Sequence, residues 1–210
     1  MRKGEQTRGT IVDAALQVAS VEGLEGLSIG SLAARLNLSK SGLFAHFGSK
    51  EALQLAVLEE AVERFVDRIV RPALRQPRGL PRLEALVLNW LAWIKDSGLP
   101  GGCPIQAAGL ELDDRPGPLR DYFVRRQQIW QDTLVQAVRG AVAEGHLRAD
   151  TDPARVAFEL QALAYGYGVQ QRLMSDPRAA EFARTALADL IARHRTADTK
   201  IGALAFGGMS

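Results

Sequence analysis

The sequence predicts an all-helical protein in two parts, a small N-terminal helical trio and a larger helical body. Apolar residues recur at the three-to-four spacing of helices along nearly the whole chain, and the period-two alternation of strands is almost absent. Glycine, proline and capping residues punctuate the pattern at plausible helix ends.

The first helix is expected over about 5–22, with Ile11, Ala14, Ala15, Val18 and Val21 on one face and Gly23 as its stop. A second, about 28–36, repeats the spacing with Ile29, Leu32, Ala33 and Leu36, and Ser28 reads as its N-cap. After a break at Asn37-Leu38, Ser39 opens a brief third helix over about 40–46. Gly48-Ser49 ends it, and Ser49 caps a longer fourth helix from Lys50 to about Leu74. Leu83, Leu86, Val87, Trp90, Leu91 and Ile94 form the apolar stripe of a fifth. The loop from Ser97 to Pro104 leads to a short sixth helix over about 104–112. The seventh runs from the turn ending at Pro118 to Gly145, with Leu119, Phe123, Trp130, Leu134, Val138 and Ala141 inward. Asp152-Pro153 and Asp176-Pro177 each read as an N-cap followed by proline at the first helical position. They open an eighth helix (about 153–174) and a ninth (about 177–195), before a short tail. The expected division is 1–49, 50–195 and a tail, 196–210.

Composition excludes several classes. The 210 residues are 47 % hydrophobic and 24 % charged, ordinary for a globular protein. No stretch approaches the roughly 20 apolar residues of a membrane span, and the N-terminus lacks the apolar core of a signal peptide. These features point to a cytoplasmic protein without membrane contact. A single cysteine, Cys103, supports neither an internal disulfide nor a cysteine-built zinc site. Nucleophilic chemistry would need Cys103 beside a histidine, and His46, His146 and His194 lie in no recognisable motif. No phosphate-cradling loop, metal-ligand pair or dinucleotide fingerprint is present. The expectation is therefore no enzyme, no cofactor and no metal.

The net charge of +2 is too small to argue for nucleic acid. Placement says more. Arg2, Lys3 and Arg8 cluster at the start, either as a basic arm or as a solvated terminus. Lys40 and Lys50 sit at the mouths of the third and fourth helices, where the dipole disfavours a cation by about 0.3–1 kcal/mol. A phosphate would reverse that sign, since dipole, free N–H groups and ammonium all attract it. Gly42 inside a short helix costs about 1 kcal/mol against alanine, but it removes bulk where a helix must approach base edges. Two short helices joined by a few residues suit a helix-turn-helix, although the lengths alone also suit any helical hairpin.

The stretch Phe44-Ala45-His46-Phe47-Gly48-Ser49-Lys50-Glu51-Ala52-Leu53 carries a more specific signal. It follows a glycine-marked turn, a serine-opened helix and a short polar helix. Residues from about 8 to 57 resemble the DNA-binding domain of TetR-family transcriptional regulators. The remaining helices resemble that family's ligand-binding and dimerisation body by number and order. The resemblance implies a ligand-responsive regulator, most simply a homodimeric repressor on a near-palindromic operator. It implies that Ser28 holds a phosphate, that Ser39, Lys40, Ser41 and Gly42 face the major groove, and that His46 and Lys50 meet backbone phosphate. Lys40 is the candidate for a guanine contact. Phe44 stands where the family usually has tyrosine, so it brings packing or contact with a thymine methyl. His46 has a second reading as a structural histidine, and Leu32, Leu36, Leu43 and Phe47 read as core.

In the body, Leu160 to Val169 is apolar on nearly every side, which suits a helix touching both its own core and a partner. The expected interface between two copies uses Ala162, Gly166, Val169, Phe182, Ala186 and Leu190. An effector site is expected from Gln127 with Phe65, Trp90, Trp93, Phe123, Trp130 and Tyr165 as apolar walls, each of which alone also reads as core. Such walls suit a small, mostly apolar molecule. Two other functions remain open on the residues: a helical protein–protein adaptor without DNA binding, and a regulator that senses oxidants or electrophiles through Cys103.

Overall fold

Helical periodicity becomes ten α-helical segments in the computed structural model, which describes residues 3–197, with only the backbone of Lys3. Arg2 of the expected arm and the tail beyond Ala197 lie outside the described residues. The segments are α1 (Lys3–Glu22), α2 (Ile29–Arg35), α3 (Lys40–Phe47), α4 (Lys50–Phe65) and α5 (Arg71–Leu74). They continue with α6 (Leu80–Lys95), α7 (Pro104–Leu112), α8 (Pro118–Ala143), α9 (Pro153–Gly168) and α10 (Ala179–His194). Among the described residues there is no strand, only an isolated antiparallel bridge between Leu147 and Arg195. Among the described residues no helix is long and apolar enough to cross a membrane.

The structure corrects or refines four expectations. The helix expected from Lys50 to Leu74 stays helical, but a π turn over Val66–Val70 separates α4 from α5. Pro72 accounts for it: proline has no N–H and its ring crowds the carbonyl four residues back, so the regular ladder cannot run through. The ninth expected helix starts at Ala179, not at Pro177. Asp176 spends its carboxylate on the Arg178 N–H (2.9 Å) and guanidinium (3.0 Å), closing a turn first. The segment holding Lys3 and Arg8 is helical from Lys3 on, and the Arg8 guanidinium lies over the Phe47 ring at 5.0 Å. Finally, the buried face of α1 is Ile11, Val12, Ala15, Leu16 and Ala19, while Val21 is 65 % exposed.

By its contacts the chain divides into two units. The first holds the residues up to Val66 together with Asp96–Gln127. The second holds Asp67–Lys95 and the chain from Gln128 onward. In the first unit one apolar cluster joins Leu16 of α1, Leu32 of α2, Leu43 of α3, Leu53 and Val57 of α4, and Ala108 and Leu112 of α7. Arg64 pins α4 to α1 through Asp13 at 2.6 Å, with Glu60 one turn back at 2.7 Å. Gly101 sits so close to the end of α1 that a Cβ there would overlap the Ser20 carbonyl.

In the second unit α6 packs on α5 and α9, and α9 packs on α10. Its core includes Leu83, Leu86, Trp90, Leu91, Leu134, Val138, Leu160, Ala164 and Leu187. Asp152 caps α9 as expected, accepting from the N–H groups of Ala154 (2.9 Å) and Arg155 (3.3 Å). The cap of α6 comes from elsewhere in the unit: His146 Nδ1 accepts the Leu80 N–H at 3.1 Å.

Glu84 of α6 is partly buried, and that burial raises its carboxyl above the ordinary glutamate range, with Arg195 opposing. Its ionised form is therefore disfavoured in the fold. The penalty applies at pH values above the raised pKa and vanishes below the ordinary one, about 4.3. Glu84→Gln is expected to raise the Tm at pH 7.5, and the gain should shrink away near pH 4; thermal unfolding followed by circular dichroism at both pH values checks it.

Candidate nucleic-acid interface

The helix-turn-helix is built around one leucine. Leu43 is fully buried, while Ser39, Lys40, Ser41, Gly42, Phe44 and Ala45 of the same segment are exposed. The eight-residue α3 is delimited at both ends. Ser39 Oγ accepts the Gly42 N–H at 3.0 Å, and Gly48 closes the helix at φ 74°, in the left-handed region that favours glycine. The turn from α2 uses Asn37 at φ 54°, a residue that tolerates this conformation. Leu38 then returns its N–H to the Ala33 carbonyl at 2.9 Å.

Each residue assigned from the sequence has a definite place. Ser28 caps α2 loosely, 3.4 Å from the Ser31 N–H, and stays exposed. Ser39 and Ser41 share a hydroxyl contact at 3.2 Å. The Lys40 stem lies over Gly30: a Cβ there would sit 3.2 Å from Lys40 Cε and 3.5 Å from its Nζ. The ammonium therefore rests at the start of α2, beside Ser28. Gly42 has a local reason as well, since a Cβ would meet Ser39 Oγ at 2.9 Å and disturb the cap. Phe44 is 51 % exposed. His46 is half-buried beside Phe47, their rings 6.4 Å apart.

Lys50 is different. Its Nζ donates to the Glu25 carbonyl at 2.7 Å and lies 3.5 Å from the Glu25 carboxylate. A cation at the mouth of α4 thus has an intramolecular partner, and its presence does not by itself demand a phosphate. Gln54, buried on α4, donates to the Leu24 carbonyl at 2.8 Å and to Glu25 at 3.2 Å. The Gln54 amide first, and then the Lys50 charge, hold the Glu25 carboxyl below its ordinary range. Glu111 of α7 accepts the N–H groups of Leu24 at 2.8 Å and Glu25 at 2.5 Å. Sequence reasoning passed over Gln54 and Glu111. Gln54 carried a faint signal, a polar residue among the core positions Leu53 and Val57, whereas Glu111 looks like any acid on a short helix.

The residues expected to wall an effector site fall in both units. Phe65, Phe123 and Gln127 belong to the first, where both rings are buried and Gln127 is half-buried. Trp90, Trp93, Trp130 and Tyr165 belong to the second. There Trp90 and Trp130 meet edge to face at 5.0 Å, and Arg68 lies over Trp93 at 5.8 Å. Of the residues expected between two copies, Ala162, Gly166, Phe182, Ala186 and Leu190 line one apolar groove of 440 Å³ between α9 and α10. Val169 lies outside it, half exposed on the π turn that follows α9. Cys103 is 5 % exposed at the start of α7, so its thiol sits within the fold and not on the surface.

Known proteins match this arrangement along most of the chain. Residues 11–57 match the model of the bacterial regulatory proteins of the tetR family, and residues 79–187 match that of the tetracyclin repressor-like C-terminal domain. The HTH-type transcriptional regulator TcmR of Streptomyces glaucescens is 27 % identical over 187 residues, covering 75 % of this chain and 82 % of that protein. A TetR transcriptional regulator from Chloroflexus aurantiacus superposes with a TM-score of 0.85 at 29 % identity, over 93 % of this chain and 98 % of its own. AibR, solved in complex with isovaleryl coenzyme A and operator DNA, shares the fold with a TM-score of 0.71 at 20 % identity, over 88 % and 97 % of the two chains.

Proposed function

The chain belongs to the TetR family of transcriptional regulators, and from that premise we propose that it is a cytoplasmic, homodimeric repressor released from a near-palindromic operator by a small, mostly apolar effector. Its relatives are regulators and not enzymes. The observation that carries the DNA reading is the outward face of α3: one buried leucine, and a run of serines, glycine and lysine turned to solvent. Ser39, Lys40, Ser41 and Gly42 enter the major groove, and Phe44 follows them with apolar contact. Ser28, His46 and Lys50 meet backbone phosphate. The resting place of Lys40 at the start of α2 lets its ammonium serve either a phosphate beside Ser28 or a base edge once the stem swings out.

The second copy covers the α9–α10 groove. Phe158 and Phe182 are 67 % and 52 % exposed at its rim, a large apolar display for one chain. Among the described residues nothing lies within 4 Å of where a Cβ on Gly166 would stand, so packing among them does not explain the glycine. Close approach of a partner helix at Ala162 and Gly166 does. Two recognition helices related by the dimer axis then read half-sites about 34–36 Å apart. The effector meets the Trp90–Trp130 pair and shifts the population between two conformations by its differential affinity for them.

The operator is first selected from random duplexes with the purified protein. Lys40→Ala is expected to weaken operator binding about tenfold and to relax base preference at one position. Lys50→Ala should flatten the negative slope of log affinity against log salt by about one unit. Unchanged affinity and slope in both variants contradict the DNA reading, and no selectable duplex favours the adaptor. Separately, Gly166→Leu should leave the chain folded but shift it from dimer to monomer in analytical ultracentrifugation; an undiminished dimer places the interface elsewhere.

A further inference from the structure

The loop between α1 and α2 is a turn with one internal bond, from the Leu27 N–H to the Leu24 carbonyl at 3.2 Å, and further partners outside the loop hold its Leu24 and Glu25 backbone groups. The two carboxylate oxygens of Glu111 each take one N–H, from Leu24 at 2.8 Å and Glu25 at 2.5 Å. The two carbonyls go to α4: Leu24 accepts from Gln54 at 2.8 Å, and Glu25 accepts from Lys50 at 2.7 Å. Leu24 itself is buried in the core of the first unit. Just before the loop, Gly23 stands at φ 76°, where a Cβ would come within 2.9 Å of Glu111 Oε2. A glycine therefore serves both the turn and the approach of the carboxylate.

The grip has a second point. The Gly101 N–H donates to Ser20 Oγ at 3.1 Å, and Ser20 is buried at the end of α1. The absent side chain of Gly101 lets the loop before α7 meet the α1 backbone directly. The segment from Gly101 to Glu111 thus holds the last turn of α1 at one end and the entry to α2 at the other. Hydrogen bonds to an ionised carboxylate are short, directional and roughly twice as strong as neutral ones. Apolar contacts tolerate sliding, but this fork does not.

We infer that Glu111 is a positioning residue for the recognition helix: it fixes the α1–α2 loop, and through it the helix-turn-helix, to the seat of α7. It touches no DNA. Its effect on binding passes through the placement of α2 and α3, and so rests on the reading of α3 as the DNA-reading helix. A shift of α7 reaches that helix through two bonds to backbone N–H groups that no local partner replaces.

The test uses the full chain with Glu111→Ala and Glu111→Gln, and reads three quantities. Amide hydrogen exchange at Leu24 and Glu25 should speed up at least about tenfold in the alanine variant. Affinity for the selected operator should fall about tenfold, while the salt slope stays that of the wild type because no phosphate contact is lost. Glutamine keeps one acceptor oxygen and should fall between wild type and alanine in both exchange and affinity, which covers the case of an alanine variant that folds poorly. Unchanged exchange at both amides overturns the clamp. Faster exchange with unchanged operator affinity shows a loop fastener only and overturns the positioning role. A wild-type chain that binds no duplex overturns the DNA reading and the inference with it, whereas wild-type binding with an unaffected Glu111→Ala variant overturns the inference alone.

Discussion

One fully buried leucine, Leu43, with the partly buried Phe47 packed on the same core, holds the short helix α3 in place. An isolated helix of eight residues does not persist in water, because nucleation costs more than so few hydrogen bonds return. α3 exists because Leu43 is buried in the core shared by α1, α2, α4 and α7, and because Ser39 and Gly48 close its ends. The economy of that anchorage leaves the rest of the surface free. A longer helix with a full apolar stripe would be more secure and would have fewer side chains to offer a duplex.

The polar scaffold around the helix-turn-helix divides its cations between two tasks. Lys40 has its ammonium at the start of α2 and its stem on Gly30. Lys50 is tied to the Glu25 carbonyl and carboxylate, and braces the loop that Gln54 and Glu111 also hold. Arg8 stacks on Phe47 and closes α1 over the end of α3. A single count of positive charges conceals this division. The fold spends Lys50 and Arg8 in part on its own architecture, through Glu25 and the Phe47 ring.

Local chemistry was legible in the sequence; pairings across long stretches of chain were not. Ser28, Ser39 and Ser49 were readable as caps because a hydroxyl before an apolar-periodic run has few other uses, and all three accept the expected N–H. The helix order was readable for the same reason. Pro72 was visible but its consequence was not, since a proline after a helical turn is equally compatible with a kink, a stop or a π turn. The face of α1 was misplaced, with Val21 turned to solvent, because hydropathy does not say where a helix axis points. Helical spacing gives Gly42 only an outward place, whereas the structure shows that it also clears space for the Ser39 cap. Glu111 acts on residues 86 and 87 positions away, and no local pattern marks it. The aromatic residues expected around an effector divide between the two units, a separation that helical spacing does not encode.

The central claim is that the solvent-facing side of α3 meets the duplex. The most direct measurement is a titration of the ¹⁵N-labelled protein with its selected operator, followed by amide chemical shifts. The account predicts that the largest changes fall on Ser39 to Phe44 and on Ser28 to Ser31, with the core amides around Leu53 and Val57 nearly still. Changes concentrated on the α9–α10 groove, or spread over the second unit while α3 stays unperturbed, would contradict it.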